Sequence, residues 1–144
     1  MAIRTATGQW DGDLRDGDGS FSSASGALDG KYSFESRFGE TGGTNPEELV
    51  AAAHASCFSM FLAGVLSDGG NTPESIRTEA NVQILKDGEG FTVTRIDLAT
   101  VGRVPGVDEA GFEQAAQIAK ENCPISKLLG AVPEMNVDAK LESS

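Results

Sequence analysis

Two cysteines, Cys57 and Cys123, are the residues of this chain best suited to chemistry. Cys57 lies in a run of small residues, Ala51-Ala-Ala-His-Ala-Ser-Cys57-Phe-Ser-Met60, and Cys123 stands before a proline in Asn122-Cys123-Pro124-Ile-Ser-Lys127. A thiolate is a nucleophile, and two thiols brought together can pass between dithiol and disulfide. The bland alternative is two unrelated core thiols, since free cysteine is commonly buried. His54 precedes Cys57 by three residues, so the two are neighbours on a helix surface and could form a Cys/His pair. The competing reading of His54 is a packed core histidine. A cysteine hydrolase built on these two residues lacks a recognisable orienting group or oxyanion motif. Two cysteines and one histidine without CxxC spacing fall short of a zinc site, and Asp11 to Gly19 lacks the spacing and terminal Glu of a calcium loop, so no metal is expected.

The thiols need different help to ionise. Cys57 lies about ten residues inside a helix, beyond reach of the macrodipole, so its thiolate requires a cation brought to it. Cys123, with Pro124 at the first position of a short helix, sits where free backbone amides stabilise negative charge. These local arguments leave open which thiol attacks first. Arg37 is a candidate cation, read as lying at a strand end beside the glycine-rich loop Gly39-Glu-Thr-Gly-Gly43, and Glu47 is free to pair with it. Ten residues along one helix put Glu47 roughly 15 Å from Cys57, so either Arg37 bridges part of the gap or Glu47 acts on the Cys57 of a second subunit, which points to a dimer.

The elements that must position these groups follow from periodicity. Ile3 to Trp10, Ser20 to Leu28 and the alternating Tyr32 to Phe38 read as strands separated by Asp-Gly turns. Asn45 caps a long helix with Pro46 at its first position and Glu48 closing a capping box; it ends near Ser67, before Gly69-Gly70. Apolar or small on every face, this helix is expected to be buried all round, partly against a second copy. Ser75 to Leu85 and Phe91 to Val101 form a hairpin, with Val82, Ile84, Val93, Ile96 and Leu98 as core candidates. A helix from about Asp108 presents Phe112, Ala115, Ala116 and Ala119 on one face and stops at Cys123; a short helix, Pro124 to Leu129, and a strand, Met135 to Leu141, follow. Strands and helices segregate without regular alternation, which says α+β in a single domain over 1–144.

The net charge of −11, with 22 acidic against 11 basic residues, argues against nucleic-acid binding and favours solubility. The amino terminus lacks the apolar core of a signal peptide and no run is read as reaching a membrane span, so a cytosolic protein is expected. In that reducing compartment a disulfide is transient and catalytic rather than structural.

Trp10-x-Gly12-Asp13, Ser36-Arg37-Phe38, Gly43-Thr-Asn-Pro-Glu-Glu-Leu49, Ala53-His-Ala-Ser-Cys57-Phe58 and Cys123-Pro124 occur in the order and spacing of the osmotically inducible protein C family. The chain resembles that family over essentially its whole length, and Ala-His-Ala before Ser-Cys is nearer to it than to the related organic hydroperoxide resistance proteins. The resemblance implies an OsmC-like α+β fold with antiparallel sheets, a long buried central helix and an intertwined homodimer with active sites at the interface. It implies a thiol peroxidase acting on organic hydroperoxides, with Cys57 as peroxidatic cysteine, Cys123 as resolving cysteine, and Arg37 with Glu47 activating the thiolate and orienting the peroxide. No bound cofactor is implied; the expected reductant is an external dithiol, a dihydrolipoyl group on a partner protein. The rival is a stress-linked binding or interaction protein whose buried thiols are inert.

Overall fold

The computed structural model describes residues 1–143, and the chain divides into two compact units, Met1–Leu49 and the remainder from Val50 onward. In the first unit β1 (Ala6–Asp11), β2 (Asp18–Ser23) and β3 (Asp29–Tyr32) form an antiparallel sheet in that order. The β1–β2 reversal is organised by Asp13. Its carboxylate accepts from the amides of Arg15 and Asp16 at 2.9 and 3.0 Å, and its carbonyl accepts from the Gly17 amide and the Trp10 indole N–H, each at 3.0 Å. The Asp16 and Arg15 amides hold the Asp13 carboxyl below its usual range. The acidic run is therefore a self-capped turn. Gly17 is required in it, because a Cβ would meet the carbonyl oxygens of Asp13 and Asp11.

The expected strand over Tyr32 to Phe38 is corrected: only Tyr32 belongs to a strand, and Phe34–Phe38 form a helical turn, α1. Ser33 caps it by accepting from the Ser36 amide at 3.0 Å, while the Ser36 hydroxyl accepts from the Ser33 amide at 2.8 Å. These reciprocal local bonds replace ladder partners. Phe34 and Phe38, which satisfy a period of two, also satisfy i,i+4, and their ring centroids lie 5.0 Å apart. Arg37 thus rides on a helix.

Helix α2 (Pro46–Asp68) begins at Asn45 and Pro46 as expected, with the Glu48 amide donating to the Asn45 side-chain oxygen at 2.8 Å, but the expected capping box is corrected: the exposed Glu48 carboxylate returns no bond to the cap. Within one chain α2 is covered on one side only, and burial of the rest is expected from a second copy. His54, Phe58, Leu62 and Leu66, spaced by four, are its buried stripe, whereas Met60 is 81% exposed. Ala, Ser and Gly make every face look apolar, but the stripe alone is buried, with Cys57, Phe61 and Val65 packed partly against the core beside it. By length and composition alone α2 could cross a membrane, against the reading that no run is long enough; its buried stripe belongs to the core of the second unit.

In that unit β4 (Ser75–Asp87), β5 (Gly90–Arg103) and β6 (Glu134–Leu141) pair in sequence order, β4 antiparallel and β6 parallel to β5. The expectation of purely antiparallel sheets is corrected here. Helices α3 (Glu109–Asn122) and α4 (Pro124–Leu128) form the crossover that returns the chain in the β5 direction, as parallel pairing demands. Asp108 caps α3 through the Gly111 amide at 2.8 Å, and α3 buries Phe112, Ala115, Ala116 and Ala119 as its spacing predicts. Of the strand residues proposed for the core, Ile96 and Leu98 are buried and Val82 and Val93 pack against it; Ile84 does not join the cluster. A hydroxyl chain anchors α2 to this sheet: Ser59 Oγ donates to Thr78 Oγ1 at 2.7 Å, and Thr78 meets Thr100 at 3.0 Å.

Candidate active site

The second unit brings the two thiols together. Cys57 Sγ on α2 and Cys123 Sγ, at the junction of α3 and α4, are 3.0 Å apart and unbonded, although 66 positions separate them. α3 ends at Asn122 because Pro124 supplies no amide and opens the next helix; the Cys123 amide still donates to Ala119 O at 2.8 Å. This break turns the chain so that Cys123 faces the middle of α2.

Their settings differ. Cys123 is completely buried, whereas Cys57 is half-buried and opens on an apolar cavity of about 370 Å³ lined by Met60, Phe61, Val65, Asp68 and Pro124. Phe61, Val65 and Asp68 follow Cys57 at four, eight and eleven residues, so one helix face forms the cavity wall. Burial pushes the Cys57 thiol up, the hydrogen-bonding contact with Cys123 adds to this, and the Ile125 amide works against both. The expectation that the amides opening α4 serve Cys123 is corrected: the Ile125 amide acts on Cys57, and Cys123 makes no side-chain cap.

His54 is fully buried, and its Nε2 lies 2.7 Å from Ser126 Oγ. Burial lowers its basicity, so the ring is held neutral. The ring nitrogen in contact is turned to α4 and not to the Cys57 sulfur, which removes the basis for a Cys/His hydrolase. Ser126 escaped the sequence reading, because a serine two residues beyond a proline is chemically ordinary until its histidine partner is seen.

Arg37 and Glu47 meet in the first unit. Arg37 Nε donates to both carboxylate oxygens at 3.0 and 3.1 Å, and Nη2 donates to Oε1 at 2.7 Å. The guanidinium also lies 5.0 Å from the Phe38 ring centroid. The loop between α1 and α2 is pinned by Ser36 Oγ donating to Thr44 O at 2.9 Å and by the Asn45 amide nitrogen donating to Ser36 O at 3.0 Å. Sequence-distant Arg37 and Glu47 are thereby fixed as a fork on a carboxylate. Trp10, Leu14, Tyr32 and Phe34 enclose a second cavity with Arg37, of about 230 Å³. Among the described residues no cluster of three metal-ligating side chains occurs.

Residues 39–138 match the family model described as OsmC-like protein. The chain is 45% identical over 135 residues to peroxiredoxin OsmC of Escherichia coli K12, covering 93% of each, and 35% identical over 106 residues to organic hydroperoxide resistance protein OhrB of Bacillus subtilis, covering 72% of this chain and 71% of that protein. The crystal structure of B. subtilis OhrB superposes with a TM-score of 0.67 at 26% identity over 96% of this chain and 98% of that one. A putative redox protein from Lactobacillus casei shares the fold with a TM-score of 0.75 at 20% identity, covering 100% of this chain and 95% of that one. On sequence, fold and the family match together, the chain belongs to the OsmC-like protein family, with greater likeness to peroxiredoxin OsmC than to the organic hydroperoxide resistance proteins.

Proposed function

We propose that this chain is a thiol peroxidase that reduces organic hydroperoxides to alcohols through a sulfenic acid on Cys57 and a Cys57–Cys123 disulfide. The observation that carries this reading is the pair of free thiols at 3.0 Å, one facing an apolar cavity and the other sealed behind it. Peroxide entering the cavity meets Cys57 first. The Cys57 thiolate attacks the terminal peroxide oxygen, the O–O bond breaks, and the alkoxide leaves as alcohol after taking a proton. Cys123 then attacks the sulfenic sulfur; the S–O bond breaks, the S–S bond forms and water departs. The similarity to peroxiredoxin OsmC and OhrB supports the same assignment.

Because burial disfavours the Cys57 thiolate, the chemistry needs a cation, and Arg37 held by Glu47 is the group proposed for it. The ten-residue offset of Glu47 from Cys57 along α2 favours supply across a homodimer interface, and the exposed apolar surface of α2 around Met60 supports such an interface. An external dithiol, proposed as a dihydrolipoyl group on a partner protein, reopens the disulfide. The acidic charge and the amino terminus without a signal-peptide core favour a cytoplasmic enzyme that binds neither membrane nor nucleic acid, and the family resemblance favours one acting without bound cofactor.

The test is the intact mass after one equivalent of t-butyl hydroperoxide, expected to fall by about 2 Da as the disulfide forms. Turnover with dihydrolipoamide is expected, and is abolished in C57S. Two thiols that stay free after stoichiometric peroxide, with no turnover on any dithiol, would establish the rival reading of an interaction protein with inert cysteines.

A further inference from the structure

Three polar contacts connect α4 to α2 at the thiol pair. The Cys123 thiol touches Cys57 Sγ, the Ile125 amide acts on the same sulfur, and His54 Nε2 meets Ser126 Oγ at 2.7 Å. The first two include the sulfur that is to be oxidised, and both change once it carries a hydroxyl group or becomes half of a disulfide. The third contains no sulfur. His54 lies one helical turn before Cys57 and Ser126 three residues after Cys123, so the bond spans the two helices beside the thiols and on the core side of them.

Both partners are sealed from water, His54 completely and Ser126 nearly so. His54 Nδ1 is buried without a partner among the described residues, so the contact with Ser126 is the ring's polar attachment. Breaking it would leave the whole imidazole unpaired in the core, a penalty larger than the net value of an ordinary hydrogen bond. The bond therefore resists opening. α4 has only five residues and little helical stability of its own, so its placement depends on such ties.

We infer that His54 and Ser126 are positioning residues that hold Cys123 against Cys57 throughout the redox cycle, and so set the effective concentration of the resolving thiol. On the peroxidase reading the consequence is a contest at Cys57. Its sulfenic acid either condenses with Cys123, releasing water, or attacks the terminal oxygen of a second peroxide, whose O–O bond breaks to give sulfinic acid and a further alcohol. Neither residue touches peroxide; they bias the contest by keeping the intramolecular thiol within reach.

Two measurements on S126A separate this inference from the peroxidase reading. The first needs no peroxide: the protein is equilibrated in mixtures of reduced and oxidised dithiothreitol, and the fraction of Cys57–Cys123 disulfide is read by mass. A loose α4 is expected to lower the disulfide equilibrium constant about tenfold, which is about 30 mV toward a more oxidising potential for this two-electron couple. S126T, which keeps the hydroxyl, is expected to restore the wild-type value. The second measures sulfinic acid at Cys57 against t-butyl hydroperoxide concentration; S126A is expected to over-oxidise at about one tenth of the wild-type dose, and an unchanged dose would count against the clamp.

An unchanged potential in folded S126A overturns the inference whatever the enzyme does with peroxide. A shifted potential in a protein that never reacts with peroxide supports the clamp and defeats only the peroxidase reading. Equal losses in S126A and S126T overturn it as well, since they would report packing and not the hydroxyl. Should S126A fail to fold, H54Q, whose amide can still bond Ser126, and H54L, which cannot, supply the same comparison: a shift confined to H54L is expected, and equal potentials overturn the inference.

Discussion

Replacing Glu47 by Gln tests whether the carboxylate orients Arg37 for catalysis. In the native arrangement three N–O contacts of 2.7 to 3.1 Å fix the guanidinium as a fork. The Gln side chain keeps one acceptor oxygen and turns an NH2 group toward the cation, so at most part of the fork survives. A charge-assisted hydrogen bond is worth about 1.5–3 kcal/mol. Arg37 is 37% exposed and Glu47 11%, so solvent screening reduces this, and about 1 kcal/mol is the discounted loss. That corresponds to about a fivefold fall in kcat/KM. The assay is steady-state reduction of t-butyl hydroperoxide with dihydrolipoamide, in E47Q, R37K and R37M. Lys keeps the charge without the planar fork, so R37K should lose at least as much as E47Q, and R37M should lose most because it removes the cation proposed for the thiolate. Full activity in E47Q would refute the orienting role. R37M no worse than E47Q would refute Arg37 as the cation for Cys57.

Three further outcomes are expected. Because burial lowers the basicity of His54, the unfolded chain binds more protons than the folded one as pH drops below the ordinary imidazole value near 6.5, so stability is fully present above that pH and declines beneath it; urea midpoints at pH 5 and 7.5 should differ more in wild type than in H54Q, and equal differences would remove His54 as the titrating group. The Phe112 ring occupies the space where Gly102 lacks a side chain, so G102A should cost about 1–3 kcal/mol by overpacking, read as a lower melting temperature with the sheet otherwise intact. M60K places a charge on the exposed apolar surface of α2 and should raise the monomer fraction in sedimentation; a wild type that is itself monomeric would refute the proposed interface.

Local chemistry was legible wherever neighbours along the chain decide the structure. Asn45 and Pro46 start α2, Asp108 starts α3, and Pro124 ends one helix and opens another, since caps act over three or four residues. The four-residue spacing of Phe112, Ala116 and neighbours marked a buried face correctly. The same reasoning failed at Tyr32 to Phe38, where one pattern satisfies both periods and a serine pair chose the helix. On α2 it could not say which stripe packs within one chain, because small residues make every face look alike.

By itself, then, the amino-acid sequence determined the family, the starts of α2, α3 and α4, and the two candidate thiols. The tertiary structure decided what depends on distance. It placed two sulfurs 66 positions apart within 3.0 Å, opened one to an apolar cavity and sealed the other, directed the Ile125 amide to Cys57, and gave His54 a partner in Ser126. The reason is physical: a cap is settled by bonds within one turn, whereas access to a thiol and the pairing of a buried ring depend on which distant surfaces the hydrophobic core brings together.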